Sequence, residues 1–171
     1  RLEFLAQHHG VGLLTGEVGA GKSTAARVFT AALNPNLYKI LYIHSSSGTA
    51  LDLLRQIALT LDLEPAHYRG DLVRQIADAV VRLNQSKKQH PLLIVDEAHL
   101  LPHAALEQLP LLLNFDMDSS RYLSLLLIGK LDNRKDLIAE CCNVQLGEIL
   151  VVTIHPRSQD GDFNVQSLDV L

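Results

Sequence analysis

Cysteine is almost missing: the two that occur, Cys141 and Cys142, are adjacent. That arrangement suits neither a disulfide framework nor a spaced metal site, so both read as ordinary reduced thiols. Also missing are an apolar run of ~18 residues, the length a membrane-crossing helix needs, and a charged-then-apolar leader. A cytoplasmic location without membrane contact is expected. There is no surplus of positive charge either: 15 Lys+Arg stand against 19 Asp+Glu, for a formal net charge of −4 and a pI near 6.0. The chain as a whole thus lacks the basic footprint of a strong nucleic-acid binder. The pairs Lys87/Lys88 and Arg134/Lys135 are candidates for a local DNA-facing patch, against the plainer reading of solvated surface. Internal repeats, low-complexity tracts and an interdomain linker are absent. Methionine occurs once, at Met117, and the chain opens at Arg1, so the natural start is expected upstream.

What is present fits one ordinary globular domain: 171 residues, 47% hydrophobic and 20% charged. Short apolar runs alternate with helical periods, the pattern of strand–helix units around a mostly parallel sheet. Strands are expected near 11–15, 39–44, 92–96, 122–128 and 148–154, and helices near 22–33, 49–62, 70–86, 103–112 and 132–140. The first helix should stop at the breaker cluster Asn34-Pro35-Asn36. LLIVD and YLSLLLI are nearly continuous apolar segments, which suits central strands covered on both faces. From about Gly147 the character changes. EILVVTIHP still reads as a strand, but SQDGDFNVQSLDVL has no sustained helical period and is rich in turn formers, so a loosely packed tail is expected.

The first chemical signal is GEVGAGKST, residues 16–24, placed between the apolar run Val11–Leu14 and a helical stretch. Gly16, Gly21, Lys22 and Ser23 fit G-x-x-x-x-G-K-[ST], a loop whose backbone N–H groups wrap phosphates while the lysine reaches the outer ones. Glycine permits positive φ and leaves no Cβ between chain and phosphate. The Ser23 hydroxyl can ligate Mg²⁺, and the following helix aims its first N–H groups at the anion. The plain alternative, a strand-to-helix turn with an incidental lysine, does not account for the combination of spacing and context.

A phosphate cradle alone only binds; hydrolysis needs a metal anchor and a group that positions water. LLIVDEAH, residues 92–99, supplies both types: Asp96 at a strand end can hold the Mg²⁺ shell, and Glu97 can orient or deprotonate the attacking water. The competing reading makes Asp96 a helix cap and Glu97 a surface residue. The histidines invite a zinc hypothesis, with His8/His9 adjacent and His99 and His103 four apart. No third ligand stands at a suitable spacing, which argues against it.

LLTGEVGAGKST, LLIVDEAHLL, LPLLLNFDMDS and LSLLLIG, in that order over roughly residues 1–131, resemble the AAA+ ATPases related to general secretion pathway protein A and the transposon-encoded helper ATPases. Within that group the chain looks most like the ATPase partner of a transposase. The resemblance implies an α/β P-loop NTPase of AAA+ type, a three-layer sandwich with a mostly parallel five-stranded sheet. Residues 1–140 would form the nucleotide-binding core, and 141–171 the last strand and an irregular tail of the same domain. It implies ATP and Mg²⁺ as cofactors. Gly16, Glu17, Val18, Gly19, Ala20, Gly21, Lys22, Ser23 and Thr24 would be the Walker A loop, with Lys22 on the β/γ-phosphates and Ser23 on Mg²⁺. Asp96 and Glu97 would be the Walker B pair. Asn114 stands where relatives often keep a polar residue, though packing or a helix-terminal hydrogen bond explains it as well.

The departures are specific. Relatives follow the fourth strand with a glycine and a polar amide that senses γ-phosphate, whereas IGKLDN puts Lys130 there, either as a point charge on the phosphate or as a loop residue. No helical lid is readable in 141–171, and Arg157 is the one late arginine available as a finger. Without a finger, binding of ATP with slow hydrolysis is expected. By resemblance the chain is a nucleotide-driven helper of DNA transposition, with duplex DNA, a transposase and further copies of itself as partners. A secretion or pilus-assembly ATPase is the alternative, and a nucleotide-binding module with little catalysis is a third reading.

Overall fold

The computed structural model describes residues 5–6, 10–45, 48–113, 122–130, 132, 149–154 and 165–168. Its elements in chain order are β1 (Val11–Gly16), α1 (Lys22–Ala32), β2 (Tyr38–His44), α2 (Ala50–Thr60), α3 (Arg69–Ser86) and β3 (His90–Asp96). A 3₁₀ turn (Ala98–Leu100) follows, then α4 (His103–Leu106), α5 (Gln108–Leu111), β4 (Ser124–Lys130), β5 (Ile149–Ile154) and β6 (Val165–Leu168). The strands form one sheet in the order β2-β3-β4-β1-β5-β6. The five expected strands run parallel, and β6 adds a sixth, antiparallel to β5 with Val151 opposite Leu168.

The alternation of side chains along each strand divides the core in two. Val11, Leu13, Leu93, Val95, Leu125 and Leu127 face the layer of α2, α3 and α4, where Leu54, Ile57, Leu72, Ile76, Val80 and Ala105 pack on them. Leu14, Leu92, Ile94, Leu126 and Ile128 face the other way, onto Ala26 and Phe29 of α1 and onto Leu5 and Ala6. That is a three-layer sandwich. It requires β3 and β4 to be apolar on both faces, and all seven residues of β3 and the first six of β4 are buried.

Local chemistry sets the element ends. Thr49 caps α2 through a capping box, its hydroxyl accepting from Asp52 N–H at 3.2 Å while the Asp52 carboxylate accepts from Thr49 N–H at 2.9 Å. After α1, the Asn34 side chain accepts from Asn36 N–H at 2.9 Å and turns the chain toward β2. The helix expected over 103–112 is two short pieces instead. Pro110 has no N–H to give to the carbonyl four residues earlier, so one continuous helix cannot form there. β3 starts two residues earlier than expected because His90 is pinned, Nδ1 3.2 Å from Asn84 Oδ1 and Nε2 2.9 Å from Ser124 Oγ. The helix expected over 132–140, and the pairs Cys141/Cys142 and Arg134/Lys135, lie outside the described residues, apart from Asp132. Lys87 and Lys88 are exposed at the end of α3. Among the described residues no helix is long and apolar enough to cross a membrane.

Gly16 shows that part of the loop pattern is there for packing. A Cβ at this position would stand 2.4 Å from the Ile154 carbonyl oxygen of the neighbouring strand. Gly16→Ala is therefore expected to push β1 and β5 apart and destabilise the domain by about 1–3 kcal/mol, read as a lower urea midpoint.

Candidate functional site

The C-terminal ends of β1, β4 and β3 lie side by side, and the candidate residues sit on them or just beyond. β1 ends at Gly16, paired in register with Lys130 at the end of β4. The chain then loops through residues 17–21 into α1. Gly19 and Gly21 adopt φ of 82° and 84°, the left-handed region that favours glycine, and no atom lies within 4 Å of where a Cβ would stand on either. Gly21 is the N-cap of α1, and no side chain caps that end, so the first N–H groups of the helix are left to whatever the loop holds.

Lys22 is 8% exposed, and its ammonium folds back over the loop, donating to Gly16 O at 3.1 Å and Glu17 O at 2.9 Å. Ser23 donates to Asp96 Oδ2 at 2.8 Å, a contact that ties the start of α1 to the end of β3 across 73 residues. Asp96 is 3% exposed and receives two further donors, the Tyr42 hydroxyl on Oδ2 at 2.7 Å and the Glu97 N–H on Oδ1 at 2.9 Å. Burial and the bond to Asp96 push the Tyr42 phenol up to about 12, so it remains a donor at neutral pH.

Glu97 follows with φ 54° and ψ 38°. Among the described residues, Asp62 and Lys88 also have positive φ, but each lies just past a helix end, where a left-handed residue commonly closes the last turn. Glu97 has no such helix before it; it comes straight off a central strand. Its turn is held by Leu100 N–H donating to Glu97 O at 2.9 Å and by Ser45 N–H donating to Asp96 O at 2.9 Å. The side chain joins Lys22, Ser23, Thr24 and Lys130 around an open cleft above the loop.

His99 lies behind this carboxylate. Its side chain is 6% exposed, with Nδ1 3.3 Å from Glu97 Oε2, and neither ring nitrogen has a hydrogen-bond partner among the described residues. Burial holds its pKa below the usual 6.5; Glu97 pulls it up, while Lys130 and Lys22 push it further down. The unfolded chain thus takes up this proton before the folded chain does, and acidification below pH 6.5 favours unfolding. Thermal melts from pH 7.5 to 5.5 should show a fall in stability that is smaller in His99→Leu.

The site's chemistry fits a magnesium nucleotide. Two positive-φ glycines leave room for a phosphate, one lysine and an uncapped helix start supply positive potential, and a hydroxyl and a carboxylate offer hard oxygen ligands. Mg²⁺ is characteristically held by one or two carboxylates together with substrate phosphates, not by an all-protein cage. Among the described residues no group of three His, Cys, Asp or Glu converges.

A family model described as "AAA domain" matches residues 5–137 of the chain. The chain belongs to the AAA domain family. β5 and β6 lie beyond the matched residues, yet they extend the same sheet. General secretion pathway protein A of Aeromonas hydrophila is 40% identical over 124 residues, which cover 69% of this AAA chain and 22% of that protein. Two similar solved structures share the fold. Drosophila ORC bound to AT-rich DNA and Cdc6 has a TM-score of 0.64 at 16% identity, covering 92% of this chain and 54% of its own. The Aeropyrum pernix ORC2 protein, in ADPNP-ADP complexes, has a TM-score of 0.61 at 20% identity, covering 89% of this chain and 44% of its own. The sheet and its helices are accordingly those of an AAA+ P-loop ATPase.

Of the residues singled out from the sequence, Val18, Gly19, Gly21, Lys22, Ser23, Thr24 and Glu97 border this cleft together with Lys130; Gly16 and Glu17 accept from Lys22, Asp96 accepts from Ser23, and Ala20 is buried with its N–H on Glu17 O. Asn114, Arg157 and His8/His9 lie outside the described residues, while His103 is exposed on α4 and contacts Glu107 at 3.5 Å. Sequence reasoning missed Tyr42. Its only sequence signal is parity: Tyr42 pairs in register with Ile94, two residues before Asp96, so both side chains belong to one face of the sheet.

Proposed function

We propose that this AAA chain binds Mg²⁺·ATP in the cleft above residues 16–24 and hydrolyses it. The observation that carries the reading is the 2.8 Å bond from Ser23 to Asp96, which joins the phosphate loop to the metal-binding carboxylate at one point. The backbone of Gly16–Thr24 and the start of α1 wrap the phosphates, and Lys22 exchanges its two carbonyl partners for phosphate oxygens. Ser23 and Asp96 would hold Mg²⁺, which would supply positive charge to the phosphates. Glu97 orients the attacking water and takes its proton. Lys130, beside Gly16 at the end of β4, adds a point charge toward the outer phosphate.

The identity to a protein named for general secretion favours a secretion or assembly role over the transposition role that the sequence suggests. The chain spans only 22% of that relative, so the task of the whole protein is part of the proposal. A transposition helper would bind duplex DNA when loaded with ATP, with an affinity that falls steeply with salt. Filter binding across nucleotide states separates the two, and ATP-dependent, salt-sensitive retention of DNA would reverse the preference.

Calorimetric titration of Mg²⁺·ATP, with phosphate release followed in the same samples, tests the central claim. Saturable binding that EDTA weakens, accompanied by release, is the expected result. A chain that neither binds nor releases phosphate would overturn it.

A further inference from the structure

Asp96 takes a hydroxyl from a strand that carries no nucleotide motif. Tyr42 lies on β2, the edge strand of the sheet, 54 residues before Asp96. It is 47% exposed, and its ring lines a pocket with Ala26, Ile40 and Ile94. The hydroxyl donates to Asp96 Oδ2 at 2.7 Å, the same oxygen that Ser23 reaches at 2.8 Å. Glu97 N–H occupies Oδ1. The carboxylate is thus fixed from three elements: the edge strand on one side, the phosphate-loop helix on the other, and the chain just beyond β3.

We propose that Tyr42 is a positioning residue for the metal-binding carboxylate, its hydroxyl holding Asp96 in the orientation that sets the Mg²⁺ affinity of the site. This rests on the reading of the cleft as a Mg²⁺·ATP site. Three fixed donors leave a carboxylate one rotamer; removal of the edge-strand donor leaves Oδ2 with Ser23 alone, the residue that must also serve the metal. Groups that orient a metal ligand from behind commonly set metal affinity by about 10–100-fold. The contact also joins the outermost strand to the reaction centre, so whatever covers the exposed ring of Tyr42 would be felt at the metal.

Tyr42→Phe removes only the hydroxyl and leaves the ring on the same edge strand. ATP binding is measured by calorimetry across a Mg²⁺ titration and again in EDTA, with a thermal melt of each protein. The expected result is a Mg²⁺ midpoint about 10–100-fold higher in Tyr42→Phe, with ATP binding in EDTA and the melt little changed. Equal Mg²⁺ midpoints in the two proteins would overturn the proposal alone. An equal loss with and without Mg²⁺ would also overturn it, since Tyr42 would then act on the nucleotide and not through Asp96. Wild type without Mg²⁺-dependent ATP binding would overturn the ATP reading and this one together.

Discussion

Glu97→Gln should leave Mg²⁺·ATP binding intact while lowering phosphate release by about 10²–10⁴-fold, the range spanned by a positioned general base. Glutamine keeps the length and shape of the side chain, and with them the packing over His99, but it cannot accept a proton from water. The backbone makes this residue more informative than a usual base. Glu97 sits at φ 54° without a helix end to excuse it, and such strain costs about 1–3 kcal/mol where a non-glycine residue adopts it. Besides its 3.3 Å contact with the buried His99 ring, the side chain borders the open cleft. Glu97→Gly should accordingly raise the melting temperature and abolish turnover, so that stability and activity move in opposite directions at one position. Should Glu97→Gln turn over at the wild-type rate, the water-activating role would have to move to another residue.

The sequence made the strands legible where burial is simplest. LLIVD and YLSLLLI are apolar on both faces because helices cover both sides of β3 and β4, and no turn or capping chemistry competes with that signal. β6 escaped notice for the opposite reason: four residues, VQSL, within a run of turn formers give too short a window for any period to show. The split between α4 and α5 was marked by Pro110, but the apolar spacing around it reads as one helix. At the site, residue types and spacing place Lys22, Ser23, Asp96 and Glu97 in one chemistry, because the loop pattern is a local property of the chain. What spacing cannot supply is register. That Lys130 stands opposite Gly16, and that Tyr42 reaches Asp96, depend on β4 lying between β1 and β3 and on β2 pairing with β3 without offset. The left-handed turn at Glu97 is likewise invisible in a sequence where glutamate gives no hint of positive φ.

Lys22→Ala should abolish measurable nucleotide binding. In the folded chain the ammonium has two partners, Gly16 O and Glu17 O, and both are carbonyls of the loop that borders the open cleft. Glu17 O, on an exposed residue, can turn to water when the lysine leaves, whereas Gly16 O is buried at the end of β1 and loses its donor, so a fall of a few degrees in the melt is expected. Phosphate oxygens have no such substitute. Charge-assisted hydrogen bonds contribute about 1.5–3 kcal/mol each, and two of them, to the β- and γ-phosphates, amount to about 3–6 kcal/mol. That is a loss of about 10²–10⁴-fold in affinity. The size of the effect depends on the lysine being ordered before ligand arrives: at 8% exposure its side chain is already held over the loop, so little rotamer entropy remains to be lost on binding. A calorimetric titration of Lys22→Ala beside its thermal melt separates the two consequences. A flat titration with a melt within a few degrees of wild type places the lysine on the phosphates, whereas retained binding would mean that the loop amides and Ser23 hold the nucleotide without it.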